Sequence, residues 1–209
     1  PEGAFSQAPM PWPLMFDQYP TRAVNGPWYQ YDPAEASKMM QAAGYTADKP
    51  LVDEMVSWYN RNEFAELVFP AINQNLPEAN ITFRQIDNPT HVTVMSDRNF
   101  ESLIGFLWGP PGYSMDQWLY PFYHSTASLN YGSINDATLD DLLVKQRAET
   151  DPTAQRGVWQ QIWDRIHDQV YQAWFPVGFQ RTVWHNYLLN YRTHGLIGGY
   201  NCYNSDVAR

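Results

Sequence analysis

The break at Gly109-Pro110-Pro111-Gly112 constrains this chain more than any other feature. It cuts off an apolar run made of Leu103, Ile104, Phe106, Leu107 and Trp108. Proline has no amide hydrogen to offer a β-ladder, and glycine adopts backbone angles that a strand does not use, so a strand reaching Trp108 stops there. The stretch from Phe106 to Tyr131 is rich in aromatic side chains, and Asp116 is its only acidic or basic residue, histidine aside. A rigid strand handing over to an aromatic segment is a common foundation for a small-molecule site. The same residues would equally serve as a core strand beneath a packed surface loop.

The elements before this break predict an α/β layer. Asp32 suits an N-cap, Pro33 the first helical position, Glu35 a capping box and Gly44 a helix stop. Ala36, Met39, Met40 and Ala43 then fall on one apolar face. Strand-like runs cover 51–58, 81–86 and 101–108. A helix is expected over 62–76, with Phe64, Leu67, Val68, Ala71 or Ile72 and Leu76 along one side and a kink or break at Pro70. A short helix is expected over 89–96. Strand, helix and strand within about 35 residues is the spacing of a crossover between parallel strands. Residues 1–31, punctuated by proline and glycine, read as extended chain lying on something else.

Beyond the aromatic stretch two helices are expected. The first starts near Asn135 or Asp136 and turns Leu139, Leu142 and Leu143 inward. The second starts at Asp151-Pro152, runs to about Trp174, and buries Val158, Trp159, Ile162, Trp163, Ile166, Val170 and Tyr171. That is a wide stripe for a helix packed on a sheet. Phe175 to Leu189 reads as extended, and the residues from Gly195 onward as a tail with little to fold around.

The 209 residues carry a formal charge of -9, which argues against a partner held through phosphates. No run of about 18 apolar residues exists to span a membrane. The start at Pro1 suggests a mature product or an excised fragment. A single cysteine, Cys202, excludes an internal disulfide. The five histidines show neither HxH nor HExxH spacing, so no metal site is expected. No nucleophile elbow, phosphate-cradling loop or dinucleotide fingerprint occurs, and nothing points to a catalytic residue or a cofactor. Adjacent Asp140 and Asp141 point about 100° apart on a helix and do not form a facing pair.

Three blocks carry a family resemblance. YDPAEASKMMQAAGY (Tyr31 to Tyr45), LWGPPGYSMDQWLYPFYHSTASLNY (Leu107 to Tyr131) and NDATLDDLLVKQRAETDPTAQRGVWQQIWDRIHDQVYQAWFPVGF (Asn135 to Phe179) resemble ABC-transporter substrate-binding proteins of the oligopeptide, dipeptide and nickel class, the extracellular solute-binding proteins of family 5. They occur in that family's order and spacing and cover roughly Tyr31 to Leu189. The resemblance implies a type II periplasmic-binding-protein-like lobe, a mixed sheet flanked by helices. It implies a non-enzymatic protein in the periplasm or on the cell surface as a lipoprotein, closing two lobes on a peptide-like or other oligomeric solute and delivering it to permease subunits. Family chains are more than twice as long. Residues 1–189 therefore correspond to the C-terminal lobe, with 1–31 as an extended lead-in and 190–209 as a tail returning toward the N-terminal lobe.

On this resemblance Trp108, Gly109, Tyr113, Asp116 and Trp118 are the candidate ligand-binding residues, while Asn130 and Tyr131 fix the loop. Peptide-binding members carry an aspartate shortly after the strand's tryptophan, where it meets the ligand's ammonium. Here Trp108 is followed by Gly109, Pro110, Pro111 and Gly112, with no acid before Asp116, which puts a free-amine peptide in doubt. Asp116 is also a candidate cap of the following helix. The aromatic content and acidity leave a carbohydrate-binding or carbohydrate-active fragment as the alternative, and a structural or adhesive surface module as a third.

Overall fold

Asp32 and Pro33 do start a helix. In the computed structural model, which describes residues 5–6, 31–57, 62–100, 103–104, 114–172, 177–178, 185, 188–189, 192–193, 200–201 and 206–207, helix α1 spans Pro33–Ala42. The Asp32 carboxylate accepts from Glu35 N–H at 2.9 Å. The reciprocal half of a capping box is not made, because the Glu35 carboxylate pairs with Lys38 Nζ at 3.0 Å.

The chain divides into two compact units, Gln30–Trp108 on the one hand and Pro1–Tyr29 with Gly109–Arg209 on the other. The short strand β1 (Phe5–Ser6) belongs to the second. In the first, α1 is followed by β2 (Leu51–Ser57), α2 (Asn62–Asn75), β3 (Ala79–Gln85), α3 (Asn88–Ser96) and β4 (Leu103–Ile104). The strands lie in the order β3-β2-β4, all parallel, with Leu51 opposite Ala79 and Met55 opposite Leu103. This is the crossover that the spacing predicts. Phe69 of α2 stacks on Phe83 of β3 at 6.3 Å, so α2 covers the face carrying the odd-numbered strand residues. The other face carries Glu54 and Arg84, paired at 2.7 Å.

Two apolar faces differ from the expected ones. Among the described side chains of α2 the buried ones are Ala65 and Phe69, whereas Leu67 is 74% exposed; Phe64 lies outside them. Val68, Ile72 and Leu76 of the expected stripe are partly buried, and the face shifts toward Phe69, which meets the ring of Phe83. Helix α2 also continues through Pro70 rather than breaking there. On α1, Met39 is 67% exposed, and the helix docks instead through polar groups: Ser37 Oγ and Gln41 Nε2 donate to Glu78 Oε1 at 2.5 and 2.7 Å. The Glu78 carboxyl is held below its ordinary range by these bonds, Ser37 first.

The second unit contains α4 (Met115–Tyr123), α5 (Ala137–Ala148) and α6 (Pro152–Asp168). Short strands follow: β5 (Val177–Gly178), β6 (Leu188–Leu189), β7 (Arg192–Thr193), β8 (Tyr200–Asn201) and β9 (Asp206–Val207). β1 pairs with β5, β6 with β9 and β7 with β8, all antiparallel. Among the described residues the α6 stripe packs on helices rather than on a sheet. Val158, Ile162, Trp163 and Ile166 share one buried cluster with Leu139 and Leu143 of α5 and with Met115, Leu119 and Tyr123 of α4. Complete burial of an aliphatic side chain of this size stabilises by roughly 1.5–3 kcal/mol. Trp159 and Tyr171 are only partly buried, and Val170 is 75% exposed because α6 ends before it.

Three helices end in the same way. After α1, Gly44 N–H donates to Gln41 C=O and Tyr45 N–H to Met40 C=O. Arg98 and Asn99 repeat this pair of bonds after α3, and Val170 and Tyr171 repeat it after α6. The residue that makes the turn has φ of +93° at Gly44 and +53° at both Arg98 and Val170. This is the left-handed termination that favours glycine. Only the first of the three has the residue type that announces it. Among the described residues no helix is long and apolar enough to cross a membrane.

Candidate functional site

Helix α4 lies inside the aromatic stretch, and a capping box starts it. Ser114 Oγ accepts from Gln117 N–H at 3.4 Å, and Gln117 Oε1 accepts from Ser114 N–H at 3.3 Å. The Ser-x-x-Gln spacing is the sequence signal for this helix. Asp116 is therefore not the cap; it occupies the first turn, where a carboxylate meets the positive end of the helix dipole.

Both oxygens of Asp116 are engaged by α5. Oδ1 accepts from Arg147 Nε at 2.5 Å and from Gln146 Nε2 at 2.6 Å, and Oδ2 accepts from Arg147 Nη2 at 2.8 Å. The bidentate contact raises the Arg147 pKa, with the Asp116 hydrogen bonds as the main cause. The guanidinium also lies over the Tyr120 ring, 3.4 Å from its centroid. Gln146, 1% exposed, continues the chain of bonds by accepting at Oε1 from Trp159 Nε1 at 3.2 Å. Gln155 Nε2 donates to the Gln146 carbonyl at 2.9 Å.

These groups bound a cleft of about 430 Å³ lined by Ser114, Met115, Asp116, Gln146, Arg147, Gln155 and Trp159. It is a depression open to solvent rather than an enclosed pocket. Of the residues expected to bind ligand, Asp116 lines this cleft. Trp118 is not among its lining residues; it is 8% exposed, with its buried indole N–H lacking an acceptor among the described residues. Trp108, Gly109 and Tyr113 lie outside the described residues. Gln146, Arg147 and Gln155 are additions that sequence spacing did not point to: Gln146 and Arg147 meet Asp116 across some thirty residues of chain, and Gln155 joins through the Gln146 carbonyl. Trp159 carried a signal, but as part of the α6 core stripe.

The loop after α4 is tied down. Asn130, fully buried, donates to the Ile134 and His124 carbonyls at 2.8 and 3.2 Å and accepts from Ile134 N–H at 2.9 Å. Asp140 accepts from Ser125 N–H at 2.8 Å and from Ser125 Oγ at 2.5 Å. Tyr123 donates its hydroxyl to Gln172 Oε1, and burial pushes its pKa up. Among the described residues no group of three or more His, Cys, Asp or Glu side chains is placed to hold a metal ion. What the cleft offers is fixed hydrogen-bonding groups beside an indole wall, an arrangement that can orient a solute.

No protein-family model matches the chain, and no curated protein matches it in sequence. Solved structures do match its fold. The Escherichia coli murein tripeptide binding protein MppA aligns with a TM-score of 0.63 and 20% identity, over 85% of this chain and 33% of its own. Haemophilus influenzae OppA, in complex with RPPGFSPFR, aligns with a TM-score of 0.64 and 14% identity, over 77% of this chain and 30% of its own. Staphylococcus aureus NikA, in complex with Ni(L-His)2, aligns with a TM-score of 0.62 and 15% identity, over 87% of this chain and 40% of its own. The chain thus has the α/β fold of type II periplasmic-binding-protein-like proteins. It spans between 30% and 40% of the length of these solved chains.

Proposed function

We propose that this chain is the C-terminal lobe of an extracytoplasmic solute-binding component of an ABC importer. The observation that carries this reading is the fold likeness to binding proteins over 77% to 87% of this chain but only 30% to 40% of theirs. The three sequence blocks, in the order of the solute-binding family, support it independently. In this reading residues 1–189 form the lobe, led in by 1–31, and 190–209 return toward an N-terminal lobe. The protein acts without catalysis in the periplasm or at the cell surface and passes its solute to permease subunits.

The solute lies between the two lobes, against Trp108, Gly109, Tyr113 and Asp116, with Trp118, buried in this chain, underlying that wall. Its class is peptide-like or another small oligomer, recognised without a free N-terminal ammonium. Two features favour this. Four residues of glycine and proline stand where an acid would follow Trp108, and the oxygens of Asp116 are already taken by Arg147 and Gln146. An ammonium drawn to Asp116 would have to displace charge-assisted bonds of comparable strength.

Expressing the complete reading frame and identifying by mass spectrometry the solute carried through purification tests this directly. Calorimetry with that solute should then show binding by the complete protein and none by the 209-residue chain, which has one wall of the cleft. Low-micromolar binding by the 209-residue chain alone would overturn the two-lobe reading.

A further inference from the structure

Strand β3 has β2 on one side and no strand on the other among the described residues. Leu51 N–H donates to Glu78 C=O at 2.8 Å and Ile86 N–H to Ser57 C=O at 3.0 Å, so even-numbered positions turn their peptide groups toward β2. The two-residue period of a strand then turns those of Ala79, Ile81, Phe83 and Gln85 outward. Such a row of peptide groups is a template for another strand. The sequence ANITFRQ is suited to extend it, with β-branched and aromatic residues and no proline.

The first half of that edge is closed from within. Ala79 N–H donates to Leu76 C=O at 2.9 Å. At Ile81 the partner is a side chain: Asn73, in the last turn of α2, accepts from Ile81 N–H at 2.9 Å and donates to Ile81 C=O at 2.9 Å. A carboxamide presents a carbonyl and an N–H side by side, so it occupies Ile81 as the peptide group of a neighbouring strand would. Beyond Ile81, the outward positions Phe83 and Gln85 have no strand beside them among the described residues.

We propose that Asn73 is an edge guard, whose side chain keeps β3 from pairing with β3 of a second copy of this chain. A second copy is the fitting occupant because two identical edges can meet antiparallel about a two-fold axis, each satisfying the other. With Asn73 in place the open edge is two outward positions long, too short to hold a register; without it the edge regains Ile81 and lengthens by half.

Two measurements test this. In the unsubstituted chain, amide hydrogen exchange should be about tenfold slower at Ile81 than at Phe83 and Gln85, a factor typical of one retained hydrogen bond. Light scattering should show concentration-dependent association of Asn73→Ala beyond that of the unsubstituted chain. Asn73→Ala/Gln85→Pro should reverse it, since proline removes an outward N–H from the same edge. Exchange at Ile81 as fast as at Phe83 overturns the proposal. So does a folded Asn73→Ala with the association state of the unsubstituted chain. If Asn73→Ala does not fold, the exchange rates in the unsubstituted chain decide alone.

Discussion

Arg165 holds Asp136 through two contacts, Nε to Oδ2 at 2.7 Å and Nη2 to Oδ1 at 3.2 Å. The same carboxylate accepts from the Tyr171 hydroxyl at 2.9 Å and from Thr138 and Leu139 N–H at 3.1 and 3.3 Å. One buried side chain therefore caps the start of α5 and ties it to the end of α6.

Hydrogen bonding from Arg165 is the main cause that holds the Asp136 carboxyl below its usual range, against the opposing effect of burial. A depressed folded-state pKa contributes stability above the unfolded value of about 3.9, and that contribution is lost as pH falls through the lower folded value. Asp136→Ala should lower unfolding free energy by about 2–3 kcal/mol at pH 7, from the lost cap and charge-assisted bonds. The deficit should shrink below pH 4. Urea melts at pH 7 and pH 3 measure both; a deficit equal at the two values would remove Asp136 from the acid response.

Trp163, 2% exposed, sits in the cluster that joins the three helices. Trp163→Ala should cost about 3–5 kcal/mol, the range for emptying a core site of an aromatic ring. Trp159→Ala, at the partly buried cleft wall, should cost clearly less. Equal losses in denaturant titration would mean that the cleft is closed in solution.

Val170 is exposed and β-branched at φ +53°. A left-handed L-residue costs roughly 1–2 kcal/mol, and glycine at the same place gives part of that back as unfolded-chain entropy. Val170→Gly should therefore stabilise the chain by about 0.5–1 kcal/mol. A lower melting temperature for this variant would show that the left-handed turn is absent in solution.

The Trp118 indole N–H is buried without an acceptor among the described residues, a state that costs about 1–3 kcal/mol. Trp118→Phe removes the orphan donor together with some ring volume, so the net loss in the 209-residue chain should stay within about 1 kcal/mol. A loss of 3 kcal/mol or more would mean that this N–H finds a partner in solution.

The parallel crossover was legible because strands and helices of this unit alternate at short range, and each declares itself by its own apolar period and caps. Asp32-Pro33 and Asp151-Pro152 work the same way: the capping carboxylates reach N–H groups three residues on, at Glu35 and Ala154. Helix α4 was masked by its aromatic composition and by Pro121, although Ser114 and Gln117 carried the signal.

By itself, then, the sequence determined what nearest neighbours decide: where α1, α3, α5 and α6 start, that Gly44 turns a helix end, and that strands β2 and β3 run parallel. These depend on hydrogen bonds and steric limits spanning a few residues. The tertiary structure alone decided that Phe69 rather than Leu67 faces the sheet, that the α6 stripe meets α4 and α5, and that Val170 takes a left-handed turn without being glycine. It alone brought Asp116 to Gln146 and Arg147, thirty residues away. Such pairings are set by which surfaces the packed helices bring together, and no local pattern of residues encodes that.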